Sequence, residues 1–226
     1  MATREALSRD RIVSGAVAVA DRGGLATVSM RNVGKELGVE AMSLYHHVEG
    51  KEALLDDLAD WLFTQIALPE PDAPWRPAMA DRATSAAEAL RAHPWALGLI
   101  ESRRQPGPAL LTHHDAVLGC LRRNGFSVAL AAHAMSAIDA YVYGFVLTEL
   151  SLPFDAGEGA EAFVEEIGHL VPSDTYPHLA EMIVEKVVGH DYAYGDEFDQ
   201  GLDLILDGLH RRLGEEQATA PEQRRA

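Results

Sequence analysis

Apolar residues recur every three or four positions along most of this chain, and alternating strand-like runs are nearly absent. The pattern predicts an all-α protein. A first helix opens at Ser8, a good N-cap, carries Ile12, Ala16 and Val19 on one side and stops at Gly23-Gly24. A second, short helix starts at Ser29, carries Met30, Arg31, Val33 and Leu37, and ends at Gly38. Only Gly38, Val39 and Glu40 separate it from a third segment, Ala41 to Val48, which Glu49-Gly50 closes. Two short helices joined by a glycine-containing turn of this length form a helix-turn-helix arrangement, here over about 29–48. A longer helix over 51–66 follows, with Leu54, Leu55, Leu58, Trp61, Leu62 and Ile66 on its buried sides.

The stretch from Pro69 to Pro77 holds four prolines and reads as a non-helical linker. The expected organisation is an N-terminal helix-turn-helix domain at 1–68, a Pro-rich linker at 69–77, a larger helical domain at 78–213 and a flexible tail at 214–226. Within the larger domain, helices are expected at about 78–92, 94–103, 107–124, 127–152, 159–171, 177–189 and 196–213, punctuated by proline and glycine.

Composition narrows the class. The chain has 226 residues, is 47% hydrophobic and 24% charged, which is ordinary for a globular protein with a full core. A single cysteine, Cys120, excludes a disulfide framework and a multi-thiolate metal site. No run approaches the roughly 18–20 apolar residues of a membrane span, and the N-terminus lacks the apolar core of a secretion signal. The expectation is a cytoplasmic protein with no membrane partner.

The net charge of −16 is unevenly placed. Residues 1–51 hold seven Lys/Arg against six Asp/Glu, whereas residues 52–226 hold 12 against 29. An acidic body repels phosphate and leaves the near-neutral N-terminal end to face a polyanion.

Residues 8–66 resemble the DNA-binding domain of TetR-type transcriptional regulators. The match lies in Ser29-Met30-Arg31-Asn32-Val33, in Leu37-Gly38-Val39 through Leu44-Tyr45-His46-His47-Val48, and in Lys51-Glu52-Ala53-Leu54-Leu55. His93-Pro94-Trp95, Asn124-Gly125-Phe126-Ser127, Tyr141 to Phe145 and Phe198 to Leu209 resemble the tetracycline-repressor-like C-terminal domain. The resemblance implies an all-helical homodimer with an N-terminal three-helix head on double-stranded operator DNA and a helical body that binds a small-molecule effector. It implies repression more often than activation.

The residues suit that role. Leu44 and Val48, four apart, anchor the third segment and leave Ala41, Met42, Ser43, Tyr45, His46 and His47 outward. By resemblance, Tyr45, His47 and Lys51 grip phosphates, and Ala41, Met42 and Ser43 approach base edges. Tyrosine and histidine donors fit phosphate oxygens, Lys51 starts a helix, and Met42 with Ala41 offers apolar surface for a thymine methyl. Arg31 is the one side chain here able to reach guanine with two hydrogen bonds, with a phosphate as its alternative target. Gly34 departs from the family's usual alanine, and no base-reading amide is present at 41–42.

In the body, Ala132, Ser136, Ala140 and Gly144 form a small-residue stripe, and the last helix carries Gly201, Ile205, Gly208 and Leu209. The resemblance assigns both helices to the dimer interface. His114 and Asp139, polar groups on apolar helix faces, are expected in the effector pocket, and the resemblance adds Trp61, Ile100, Glu101, Arg104, Tyr141 and Phe145. Adjacent histidines at 113–114 point about 100° apart on a helix and do not make a metal site. The segment 101–106 lacks the histidine that tetracycline repressors use to hold the drug's magnesium. No cofactor or metal is expected. An all-α enzyme built around His114 is the competing reading, but no catalytic motif supports it.

Overall fold

The computed structural model describes residues 6–100, 102, 103 and 105–223, and among them every regular element is a helix. The order is α1 Arg9–Gly23, α2 Met30–Leu37, α3 Ala41–Leu44, α4 Lys51–Phe63, α5 Trp75–Ala92, α6 Leu97–Ile100, α7 Pro108–Arg123, α8 Val128–Glu149, α9 Ala160–Ile167, α10 Pro177–Lys186 and α11 Glu197–Gln223. Short 3₁₀ turns at Leu25–Thr27, Pro94–Ala96, Gly168–Leu170 and Tyr194–Asp196 fill the connections.

The N-terminal caps read from sequence are in place. The Ser8 hydroxyl accepts from the Arg11 amide and Ser29 from the Asn32 amide, both at 3.2 Å. Gly38 ends α2 with φ 66°, a left-handed conformation that turns the chain directly into α3. Ile12, Ala16, Val33, Leu44, Leu54 and Leu58 are fully buried at the centre of this head.

The chain divides into two compact units, up to Ser136 and from Ala137. This differs from a division at 69–77, because the head and α5–α7 pack as one body. α4 contacts α1, α6 and α7. The proline stretch itself is fastened: Asn124 donates to the Ala73 carbonyl at 3.0 Å and accepts from the Trp75 amide at 3.3 Å. Pro77 also lies inside α5 rather than before it. First-turn amides have no intrahelical partner, so a proline there removes nothing.

Two further departures concern helix length. α11 continues to Gln223 where a tail from 214 was expected. Gly214 alone costs about 1 kcal/mol, and the helix-favouring Glu215, Glu216, Gln217 and Ala218 follow it. α8 is 22 residues with mean hydropathy 1.3, so by length and composition it does reach membrane-span character. Its Ala131, Ala134, Ile138, Val142 and Val146 are nonetheless fully buried as protein core.

In the unit from Ala137, Tyr141, Phe145, Tyr194 and Phe198 pack ring against ring at 5.0–5.8 Å. The Tyr141 hydroxyl donates to the Phe198 carbonyl at 2.8 Å, and burial pushes its pKa up to about 12. Lys186 ties α10 to Glu197 at 2.9 Å.

The first unit buries two polar side chains that sequence reading passed over. Arg82 on α5 donates through Nε to His113 Nε2 on α7 at 3.2 Å, and both are essentially inaccessible. Burial, with the Arg82 cation beside it, lowers the His113 pKa from 6.5 to about 4. At the start of α7, Asp60 of α4 accepts from the Leu110 amide at 3.0 Å and caps the helix from outside its own sequence. Gly107 is required beside it, since a Cβ there would overlap the Asp60 carboxylate.

Two stability tests follow from these contacts. Asp60→Ala is expected to cost about 1 kcal/mol, the usual loss for a helix cap, and Gly107→Ala a similar amount by displacing the same carboxylate. Denaturant unfolding checks both losses; because a Cβ at 107 would also lie 2.7 Å from the Asp60 Cβ, which alanine keeps, the double variant should be less stable than Asp60→Ala alone. For His113, the unfolded chain takes up a proton below about pH 6.5 that the folded chain refuses until about 4. Its contribution is therefore complete above about pH 6.5 and declines toward pH 4, by up to ~1.4 kcal/mol per unit. His113→Gln should flatten this decline in thermal unfolding across that range, and an unchanged slope would refute the assignment.

Candidate nucleic-acid interface and effector site

The recognition segment is built by burying two of its residues. Leu44 is fully buried and Val48 nearly so, as their spacing predicted. The segment is a shorter helix than the expected 41–48: α3 ends at Leu44, and turns closed by the His47 and Val48 amides on the Leu44 carbonyl carry the chain onward. Glu40 supplies no side-chain cap, and Gly50, with φ 144°, redirects the backbone into α4. Gly34 explains how α2 sits so near this segment. A Cβ there would lie 3.0 Å from the Val39 carbonyl and 3.2 Å from the Ala41 amide.

The expected DNA-contacting side chains face outward. Met42 is 72% exposed and Tyr45 48%, so two large side chains stand in solvent on this segment. Arg31, His46, His47 and Lys51 are exposed, and Ala41 and Ser43 are half-exposed. Arg31 and Lys51 have no carboxylate partner among the described residues, whereas Arg9 is paired with Asp57, Arg22 with Glu36 and Arg103 with Asp56. Lys51 is the first residue of α4, whose N-terminus has no side-chain cap. Its free amides and the lysine together favour an anion.

Tyr45, His46, His47 and Lys51 form one side of an open polar cleft of about 1190 Å³. The acidic side of α4 and the connection from α6 to α7 form the rest. Sharing part of that lining is a small, partly open cavity of about 70 Å³, lined by Phe63, Ile100 and Leu110 among others.

The expected effector residues separate into groups. Ile100 lines the small cavity. Trp61 instead stacks on Trp95 and meets His93 edge-on, in a cluster closed by Asp21, which accepts from the Trp95 indole at 2.7 Å. His114 is only half-buried, 6.2 Å from the Phe63 ring, and its neighbour His113 is the buried histidine. In the other unit Asp139 is half-buried, while Tyr141 and Phe145 belong to the ring cluster. Glu101 and Arg104 lie outside the described residues. No group of three His, Cys, Asp or Glu among the described residues is placed to hold a metal ion.

On α8 the stripe Ala132, Ser136, Ala140 and Gly144 is exposed along its length. The α11 residues divide. Ile205 and Gly208 are half-exposed, but Leu209 is buried and the space over Gly201 is filled by the Tyr141 ring. Both positions pack within this chain, Gly201 because the Tyr141 ring on α8 needs a residue without a side chain opposite it and Leu209 by burying its side chain. Sequence reading missed Arg82, Arg103 and Asp60. Arg82 gave no sign on a helix of small residues, but Glu52, Asp56 and Asp60 recur every four residues and mark an acidic stripe on α4.

Comparison with known proteins agrees with this geometry. Residues 12–58 match the family described as bacterial regulatory proteins, tetR family, and residues 68–213 match the tetracyclin repressor-like C-terminal domain. The HTH-type transcriptional repressor DrrR1 of Streptomyces coeruleorubidus is 34% identical over 90% of this chain and 77% of its own length. An Escherichia coli tetracycline repressor protein, class A from transposon 1721, is 30% identical over 91% and 92%. Apo ActR from Streptomyces coelicolor superimposes with a TM-score of 0.76 at 26% identity, covering 93% of this chain and 98% of that one, and ActR has also been solved in complex with actinorhodin. With a helix-turn-helix head whose reading residues stand exposed and both halves of the sequence matched, the chain belongs to the TetR family of bacterial DNA-binding transcriptional regulators.

Proposed function

We propose that this protein is a homodimeric repressor that binds a palindromic operator and leaves it when a small molecule occupies the body. The observation that carries the reading is the exposed tip: Met42 and Tyr45 displayed to solvent, flanked by the unpartnered cations Arg31 and Lys51. No internal packing need explains that arrangement, and base edges with flanking phosphates do. Repression is supported by the relatives named as repressors, and a small-molecule effector by ActR in complex with actinorhodin. The cavity at Ile100 and Phe63 is the proposed point of entry for the effector. The protein acts in the cytoplasm, needs no cofactor and has no catalytic role.

Dimerisation supplies what one head lacks. A near-neutral head docks weakly, and two heads on half-sites roughly 34–36 Å apart gain from being joined. The exposed small-residue stripe on α8, Ala132, Ser136, Ala140 and Gly144, lets a partner helix approach closely.

Selection of genomic fragments by the purified protein, followed by a salt titration, is the direct test. A palindromic fragment is expected, with affinity falling steeply as salt rises. Lys51→Ala should weaken binding to all sequences and reduce the salt slope by about 1, while Met42→Ala should act chiefly on base preference. Equal affinity for operator and random DNA would remove the reading. Gly144→Glu tests the dimer separately. A side chain at 144 meets nothing within its own chain, so the variant should fold but sediment as a monomer and lose the operator. A dimer of Gly144→Glu would place the interface elsewhere.

A further inference from the structure

The buried histidine of the first unit is only half satisfied. Arg82 donates from Nε to His113 Nε2 at 3.2 Å, so that nitrogen is the acceptor of a neutral ring and the single ring proton sits on Nδ1. Burial, with the Arg82 cation beside it, keeps the ring neutral at physiological pH by lowering its pKa to about 4. His113 is fully buried, and its Nδ1 has no hydrogen-bond partner among the described residues. A donor stranded in this way destabilises the fold, and folded proteins keep few of them without a reason.

The reason lies in what the ring sits against. Phe63 lines the cavity of about 70 Å³, and its ring centre is 5.5 Å from that of His113. Leu110, one turn earlier on α7, lines the same cavity, and Ala59, Ile100 and Pro106 add further apolar lining. Both carboxylates of the lining have partners already: Asp56 accepts from Arg103, and Asp60 from the Leu110 amide. Small-molecule sites are typically ~300–1,000 Å³, so an occupant of this cavity has to push Phe63 aside, and the ring packed on Phe63 is that of His113.

We propose that the effector is an organic acid, an apolar ring frame carrying a carboxylate or phenolate oxygen that accepts from His113 Nδ1–H. The apolar frame takes the space of Phe63 between Ile100 and Leu110. The oxyanion satisfies the stranded donor, and the buried Arg82 cation behind the ring favours a charged acceptor over a neutral carbonyl, because charge is felt strongly away from water. This rests on the reading that a small molecule occupies the body, and it names the chemistry of that molecule.

Matched probes separate the acid from its shape. Benzoate, naphthoate and anthracenecarboxylate, each beside its uncharged primary amide, are titrated into the full-length protein at neutral pH by calorimetry. The best acid should bind at least about tenfold more tightly than its amide, as expected of a hydrogen bond to a charged group. In NMR of nitrogen-labelled histidine, the His113 Nδ1–H proton should move downfield when that acid is added. Two variants place the donor. In His113→Gln the amide reaches the place of Nε2, where it still accepts from Arg82, but leaves no donor at the place of Nδ1, so the protein should fold and lose the preference. In His113→Asn the amide nitrogen falls at the place of Nδ1, and part of the preference should return. Amides that bind as tightly as acids, a preference that survives in His113→Gln, or an Nδ1–H proton already downfield without any acid would each overturn the proposal while leaving a small-molecule site. Binding by neither series overturns the small-molecule reading together with it.

Discussion

The arrangement of this molecule depends on how α4 is held. Its acidic side chains do not simply face water: Asp57 is taken by Arg9, Asp56 and Glu52 by Arg103, and Asp60 by the first free amides of α7. Each partner comes from a different element, so one thirteen-residue helix is fixed to α1 on one side and to the α6–α7 connection on the other. Exposed ion pairs contribute about 0–1 kcal/mol each, so the set does little for global stability. What it fixes is orientation, and α4 begins at Lys51, the residue proposed to meet phosphate.

The same helix also explains why the head and α5–α7 share one compact unit. A linker with several prolines suggests loose attachment, yet Asn124 fastens the linker at Ala73 and Trp75, and Trp75 packs edge-on against Phe126. α4 contacts α6 and α7 as well, so the linker is not the sole attachment between the head and these helices.

Much of this was legible in the sequence, and the limits have physical causes. Caps at Ser8 and Ser29, the turn at Gly38 and the burial of Leu44 and Val48 depend on residues within a few positions of one another, and all were read correctly. Outward placement of Met42, Tyr45 and Lys51 followed from the same local periodicity. The body was harder because its polar contacts join residues far apart in sequence. Arg82 and His113 are 31 positions apart, and Arg103 and Asp56 are 47 apart. Helical spacing shows which residues share a face but not what that face meets. His114 was therefore preferred to His113, and Gly201 was given to a partner chain although Tyr141 of its own chain occupies the space. The acidic stripe at Glu52, Asp56 and Asp60 was visible, but its partners were not.

The reading tip has few unpartnered cations, and one of its exposed side chains, Met42, is a thioether. Affinity for DNA of arbitrary sequence scales with the phosphates a surface neutralises, so each head holds the bulk chromosome only loosely. Bulk chromosome is then a poor decoy, and a small number of molecules per cell is enough to keep a true site filled. The matching cost is slow one-dimensional scanning: a protein that slips off quickly must find its site mostly through bulk solution, and recovery after an effector is removed is set by copy number.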